Sequence, residues 1–366
     1  MQYADRVDIV YISLKINTIQ IENFRNLESV SFKPNSVLNF IIGNNGAGKT
    51  SILESIVVLS RGRSFRTSKA GELIGPVKPT FSVFTETQRD DGHRDRLGLE
   101  RSGKYWKARK NGQDLAQISQ LTRSLPLVLM EPNSHLLVNG TPDVRRRFLD
   151  WGVFHVEPEF LEVWRCFSKT LRQRNAALKQ RQIDVIESID EILSSLGSRL
   201  SQLRQAYSKS ISRQTQSIVS ELSAGLSDIT LEYQNGWGSG PYHEALSKWR
   251  ERDLERGATS QGPHRADLVL MKGNILARSV LSRGEQKILS AALLLAQVAF
   301  LKSQGESPVV LLDDLASEFD RLHYKKVLAK FLETNGQVWI TGTRELEFSG
   351  PCSVFHVEHG TVREMI

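Results

Sequence analysis

The sequence predicts an α/β fold in which a mixed sheet is split by a long helical insertion, and three observations carry that expectation. IIGNNGAGKT (41–50) sits between a short apolar run and a helical one. VVLLDD (309–314) is a second apolar run, and it ends on two aspartates. Between them, from about Asp143, the chain runs for roughly eighty residues with little Gly or Pro and with apolar positions at helical spacing.

The first motif has the context its chemistry requires. VLNFII, Val37 to Ile42, reads as a buried strand, and Ile52, Leu53, Ile56, Val57 and Leu59 share one helical face downstream. Gly43, Gly48, Lys49 and Thr50 satisfy G-x-x-x-x-G-K-[ST], the phosphate-binding loop, whose four fixed positions would match by chance in such a chain with a probability on the order of one per cent. Along Gly43, Asn44, Asn45, Gly46, Ala47 and Gly48, successive backbone N–H groups would converge on a phosphate at a helix N-terminus. Lys49 would reach the β- and γ-phosphates and the Thr50 hydroxyl would hold Mg²⁺, so ATP and Mg²⁺ are the expected cofactors.

The other elements follow in order. Residues 14 to 32 alternate around Asn26 as a hairpin or meander, and residues 80 to 114 read as strands with a turn at Asn111-Gly112. LPLVLM (125–130) is a buried strand ended by Pro132. The helical insertion is expected to break near Ile183–Asp184 and again at Gly197. Gly and Pro return after Leu231, with a hairpin turn at Gly273-Asn274. A long helix from about Gly284 to Lys302, the VVLLDD strand, a helix near 321–333, the strand QVWI and a hairpin around Gly360 complete the chain.

At 366 residues, 40% hydrophobic and 24% charged, the chain is long enough for two domains. No apolar run approaches the ~20 residues of a bilayer span, and the N-terminal residues lack a signal-peptide stretch, so a cytoplasmic location and no membrane partner are expected. Cys166 and Cys352, far apart, give neither a disulfide framework nor a zinc site. The net charge of +7 favours a polyanionic partner.

In VVLLDD, Asp313 is expected to bind the metal and Asp314 to stand near the attacking water, which makes Lys49 and Asp314 the candidate catalytic pair and Thr50 and Asp313 the metal ligands. LSRGEQK (281–287) contains a capping box, Ser282 to Glu285, opening the long helix. It also resembles the L-S-G-G-Q signature of ATP-binding-cassette ATPases, with Arg283 at the first glycine and Glu285 at the usual glutamine. In that superfamily the signature caps the γ-phosphate held by a second subunit, which makes Ser282 and Gly284 nucleotide-binding candidates. LASEFD (315–320) resembles the D-loop. Asp314 stands where those enzymes carry Glu, which implies slow turnover, and Thr341 and Thr343 stand where they carry a switch histidine. The resulting expectation is a cassette-type P-loop ATPase head with a mixed sheet (1–130 and 262–366), split by a helical arm (131–261).

IENFRN, GNNGAGKTSILESI, GRSFRT, the P-D-x-R-R-x-F-L-D run at 142–150, LRQRNAALK, QGPHRADL, LSRGEQK and LLDDLASEFD together resemble the RecF family of bacterial recombinational-repair proteins. The resemblance runs from about Leu14 to the C-terminus, and the leading thirteen residues exceed what the family usually carries. It implies an ATP-dependent homodimer that binds double-stranded and gapped DNA without sequence preference. With RecO and RecR, such a dimer would promote RecA loading in repair, replication and the SOS response, hydrolysing ATP weakly. Arg145, Arg146, Arg147, Lys169, Arg172, Arg174, Lys179 and Arg181, with Arg61, Arg63, Arg66 and Lys69 on the head, are candidates for phosphate contact. An ATP-binding scaffold is the alternative. A transporter-type ATPase subunit fits less well, given the arginine-rich insertion.

Overall fold

The structure is a computed structural model that describes residues 12–103, 105–343, 348 and 350–365. Of the thirteen leading residues noted above, 1–11 lie outside the described residues, and Ile12 and Ser13 open the first strand.

In chain order, β1 (Ile12–Phe24), β2 (Leu27–Phe32) and β3 (Leu38–Ile42) precede α1 (Lys49–Arg61). β4 (Phe81–Arg89), β5 (Arg94–Arg101), β6 (Trp106–Lys110), β7 (Gln113–Leu115), α2 (Ser119–Ser124) and β8 (Leu127–Met130) follow. The next stretch comprises α3 (Leu136–Asn139), α4 (Pro142–Val156), α5 (Phe160–Gln180), α6 (Ile183–Leu222), β9 (Ile229–Gln234), α7 (Tyr242–Lys248), α8 (Arg250–Arg256), β10 (Asp267–Lys272), β11 (Ile275–Leu276), α9 (Ala277–Val280) and α10 (Arg283–Ser303). The chain closes with β12 (Glu306–Ser307), β13 (Val309–Leu312), α11 (Leu315–Glu318), α12 (Arg321–Leu332), β14 (Val338–Gly342), β15 (Cys352–Glu358) and β16 (Thr361–Glu364).

Two compact units form, residues 1–134 with 297–366 and residues 135–296. The head therefore resumes at 297 rather than at the expected 262. The reason is pairing: β10 lies antiparallel to β9, with Asp267 opposite Gln234 and Lys272 opposite Ile229, which ties 267–272 to the insertion. The insertion is accordingly a helical arm with its own three-stranded sheet, β11-β10-β9.

In the head, one sheet has the order β16-β15-β3-β14-β13-β8, parallel from β15 through β8. β8, β13 and β14 are buried throughout, as strands covered on both sides must be. The second sheet, β12-β1-β4-β5-β6-β7 with β2 also on β1, is antiparallel apart from the β1–β12 pair. Asn111 and Gly112, both at positive φ (52° and 83°), make the tight β6–β7 turn. The head core gathers α1, the inner faces of both sheets and Trp339.

In the arm, two sequence-level breaks need revision. α4 ends at Val156, just ahead of Pro158, whereas the expected break at Gly197 is absent and α6 runs for 40 residues straight through it. A side chain at Gly197 would collide with the Tyr242 ring, so this glycine serves close packing rather than helix termination. α5 ends at Arg181, whose backbone is left-handed (φ 55°) and whose N–H donates to Ala177 and Leu178 carbonyls, two residues from the break expected at Ile183. α10 is long and apolar enough to cross a bilayer by composition, but 72% of its apolar window is buried inside the protein, as for a core helix.

The arm contains a half-buried titratable group with a stability consequence. His264, in the GPHRAD stretch, places Nε2 3.0 Å from the Thr259 carbonyl, while its buried Nδ1 has no hydrogen-bond partner. Burial pushes its pKa down to about 4, against the Thr259 hydrogen bond. Because the folded value lies below the unfolded one, the unfolded chain binds more protons between the two. Stability is then full above about pH 6.5 and is lost as pH falls toward 4, by about 3 kcal/mol in total. Melting temperature measured from pH 7.5 to 4.5 should fall across that window, and His264→Gln should flatten the fall.

Candidate functional site

The phosphate loop is held from behind before it can hold anything in front. Gly43, Gly46 and Gly48 adopt φ of 153°, 80° and 121°, which a side chain would strain. The Ala47 carbonyl accepts from Gly360 N–H at 3.0 Å, and a side chain at Gly43 would collide with the Val357 carbonyl. The β15–β16 hairpin thus buttresses the loop. Asn26, in the β1–β2 turn, donates to the Gly46 carbonyl (3.2 Å) and accepts from Ser51 Oγ (2.9 Å). The tip, Asn44 to Gly46, is exposed, whereas Ala47 and Gly48 are buried.

Lys49 Nζ donates to the Gly43 and Asn44 carbonyls at 2.8 and 2.9 Å, so its ammonium spans the loop. Partial burial lowers its pKa, and Asp314 and Asp313 act to raise it, which places both carboxylates within its field. Thr50 Oγ1 donates to Asp313 Oδ1 at 2.9 Å, and Thr341 Oγ1 donates to the same oxygen at 2.7 Å. Strand order explains this convergence. β14 lies between β3 and β13, with Ile340 beside Leu312 and Phe40, so the three C-terminal ends deliver the loop, Thr341 and Asp313 to one crevice.

Asp314 sits in the left-handed region (φ 52°, ψ 40°), with its N–H on Thr341 Oγ1 (2.8 Å) and Oδ2 accepting from Ser317 Oγ (2.8 Å). The Thr341 hydroxyl is thus spent on clamping both aspartates rather than standing in for a switch histidine. Thr343 is exposed.

Two carboxylates that the sequence analysis did not assign, Glu131 and Glu54, lie at or beside the site. Glu131 follows β8, the neighbour of β13; burial and the nearby Asp313 push its pKa up to about 7, with Arg61 opposing. Asp313 is raised too, by burial and by Asp314, against the hydrogen bonds from Thr341 and Thr50 and the charge of Arg66. Glu54, fully buried on α1, pairs with Arg25 through both oxygens (2.8 and 3.0 Å), accepts from Ser64 (2.5 Å) and lies 3.4 Å from Arg66. A carboxylate inside the apolar run TSILESIVVL was the signal for it. The FRN turn and the RSFR stretch are therefore fixed to one another through Glu54, and Arg66 is drawn toward the acidic crevice. Arg61 donates to the Leu127 carbonyl, and burial and Arg63 lower its pKa to about 10, with Glu131 opposing. Both arginines have structural partners in the head, and Arg66 is exposed as well.

A hydroxyl and a carboxylate 2.9 Å apart, beside two more carboxylates, form an all-oxygen donor set that fits Mg²⁺. Among the described residues no three His, Cys, Asp or Glu converge as a metal cage. A cation here would be held as Mg²⁺ commonly is, by one or two protein oxygens together with phosphate and water.

In the arm, the signature stretch forms the expected capping box. Ser282 N–H and Oγ both contact Glu285 Oε2 (2.9 and 2.8 Å), and Glu285 N–H returns to Ser282 Oγ at 3.3 Å. These bonds hold the Glu285 carboxyl below its ordinary value. Ser282, Arg283 and Gly284 are exposed at the N-terminus of a 21-residue helix.

The cationic candidates of the arm divide sharply. Arg145 is buried in a two-pronged pair with Asp267 (2.7 and 2.9 Å), Arg146 donates to the Ala266 carbonyl, and Arg174 is fully buried between Asp190 and Asp253. These three act within the arm's own structure. Arg147, paired with Asp143, and Lys169, Arg172, Lys179 and Arg181 are exposed.

A phosphate loop, an aspartate-ended parallel strand two places away and a helix-capping signature define the class: a cassette-type P-loop ATPase fold with an inserted arm. Residues 15–362 match the model of the RecF/RecN/SMC N terminal domain. The chain is 40% identical over 360 residues to the DNA replication and repair protein RecF of Stenotrophomonas maltophilia (strain R551-3), covering 95% of this chain and 99% of that one. It is 38% identical over 365 residues to the protein of the same name from Pseudoalteromonas atlantica (strain T6c / ATCC BAA-1087), covering 96% and 99%. A structure of the recombination mediator protein RecF with ATP, in the RecFOR pathway, superposes with a TM-score of 0.87 at 27% identity over 99% of this chain and 100% of that chain. An Smc head domain from Pyrococcus furiosus shares the fold, with a TM-score of 0.60 at 15% identity over 96% of each chain. The chain belongs to the RecF family.

Proposed function

We propose that this protein is an ATP-switched, DNA-binding homodimer of recombinational repair, acting in the cytoplasm at single-strand gaps beside duplex DNA. With RecO and RecR it promotes RecA loading, linking it to replication and the damage response. The observation that carries the reading is the Thr50–Asp313 pair beside Lys49, which gathers one cation and two oxygen ligands at the mouth of a phosphate loop.

Mg²⁺-bound ATP supplies a transferable phosphoryl group and, with it, negative charge that can be shared between subunits. The loop N–H groups from Gly43 to Gly48 and the Lys49 ammonium bind and orient the phosphates. Thr50 and Asp313 hold the metal, and Thr341 fixes the Asp313 oxygen. Ser282 and Gly284 present an N-capped helix end to the nucleotide of a second copy. Asp314 orients water from a shorter carboxylate, one oxygen of which is already engaged by Ser317. Slow hydrolysis follows, which suits a switch better than a motor.

The test is ATP turnover against protein concentration, with and without gapped duplex DNA. Turnover that rises more than linearly and increases with DNA supports composite sites closing across a dimer. Linear, DNA-indifferent turnover would reduce the signature to a helix cap. The Ser317 bond to Asp314 also favours a second reading, an ATP-binding scaffold, which predicts undiminished RecR binding by Asp314→Asn with negligible hydrolysis.

The buttress behind the loop gives a separate expectation. Gly360 (φ 76°) is left-handed, and a side chain there would strike the Asn26 carbonyl. Gly360→Ala should destabilise the head by about 1–2 kcal/mol and weaken ATP binding several-fold without touching nucleotide. Nucleotide titration beside a thermal melt checks both. Unaltered affinity in a destabilised variant would uncouple hairpin from loop.

A further inference from the structure

Charge is segregated along the helical hairpin of the arm. From residue 163 to 182 the sequence carries Arg165, Lys169, Arg172, Arg174, Lys179 and Arg181 and no Asp or Glu. From 183 to 198 it carries Asp184, Glu187, Asp190 and Glu191 and no Lys or Arg. The first stretch is most of α5 and the second is the first half of α6, so one helix of the hairpin is basic where its partner is acidic.

Helical geometry sorts the basic residues. At about 100° per residue, Arg165, Lys169, Arg172 and Lys179 fall within an arc of about 80°, and Arg174 points to the opposite side. The structure agrees: the four are exposed, while Arg174 is buried on Asp190 and Asp253. Lys169, Arg172 and Lys179 make no ion pair with any described residue, whereas Arg145, Arg146 and Arg147 all do. From Arg165 to Lys179 the stripe is about 21 Å long at 1.5 Å per residue, a length that spans about six base pairs of duplex.

The charge geometry points to the exposed face of α5, through Lys169, Arg172 and Lys179 with Arg165 at its end, as a docking stripe for the phosphate backbone of double-stranded DNA. This rests on the DNA-binding reading above and names the surface that performs it. Duplex is favoured over single strand because single-strand sites interleave cations with aromatic platforms on which bases stack. Here the one exposed aromatic on the helix, Trp164, lies at the far end of the stripe. Of the exposed acids of α6, Glu187 is paired with Arg250 at 2.6 Å, whereas Asp184 and Glu191 repel a polyanion. They confine the duplex to α5 and set its approach, without sequence readout.

The experiment measures binding of a 30-bp duplex and of a single strand of equal length, with ATP, between 50 and 300 mM salt, for the wild type and for K169A/R172A/K179A. The variant should lose at least about tenfold in duplex affinity at 0.1 M salt, and its log–log salt slope should shrink by about 2.7, or 0.9 per lost contact. ATP affinity and melting temperature should be unchanged, since all three side chains are exposed; a charge-reversed pair, K169E/R172E, should lose more. A wild type that binds duplex with a variant of equal slope overturns the stripe and leaves the DNA reading standing. A wild type that binds no DNA overturns both, and a loss confined to single strand overturns the choice of duplex.

Discussion

Lys49→Ala should lower ATP affinity by about 100-fold or more and remove ATP-dependent DNA binding with it. The expectation follows from position. The ammonium is held over the loop by the Gly43 and Asn44 carbonyls and lies in the field of Asp313 and Asp314, so no other described cation is already anchored across the loop. Two charge-assisted hydrogen bonds to phosphate, at about 1.5–3 kcal/mol each, convert to that factor. Nucleotide titration and DNA binding with and without ATP check it. A variant that still bound DNA more tightly with ATP would mean that the switch does not run through this loop. The head should melt at a nearly unchanged temperature, because Lys49 is only half-buried and its removal leaves no buried charge unpaired.

Arg174→Ala should destabilise the arm by about 3–5 kcal/mol, the usual consequence of leaving buried acids without their cation. Arg174 Nε donates to Asp190 at 2.5 Å, and Nη1 donates to Asp253 at 2.7 Å and to Thr259 Oγ1 at 2.9 Å. Asp253 is itself fully buried and also accepts from Ser260 N–H at 2.9 Å, while Asn175 accepts from Thr259 N–H at 2.8 Å. The motif LRQRN is thus the centre of a network that ties α5, α6 and α8 to the loop before GPHR. Denaturant unfolding of the variant should show a lower midpoint. The contrast with the α5 stripe is the informative part. Arg174→Ala should act on stability with little change in the salt slope of DNA binding, and Arg172→Ala should do the reverse. Loss of DNA affinity by Arg174→Ala at full stability would place this side chain at the surface instead.

Much of this protein is determined by local sequence, for a physical reason that is itself local. A phosphate loop needs glycines at fixed spacing between a strand and a helix, and Gly43 to Thr50 state that without reference to any distant residue. The same holds for Asp313 at the end of an apolar strand, for the capping box at Ser282 and Glu285, and for the turn at Asn111-Gly112.

What only the tertiary structure decided are the features made by residues far apart in sequence. Strand order put β14 between the loop strand and the aspartate strand, and so gave Thr341 to Asp313 rather than to a switch position. Gly197 carried a breaker's composition and was instead a contact for Tyr242. Glu54, a lone carboxylate among apolar neighbours in the sequence, binds Arg25, Ser64 and Arg66 in the fold. Arginines that are equivalent in a composition, Arg172 and Arg174, were separated by two residues of helix into a surface charge and a core charge. Charge in a sequence has sign and spacing, but whether it meets water or a buried carboxylate depends on what the fold packs against it.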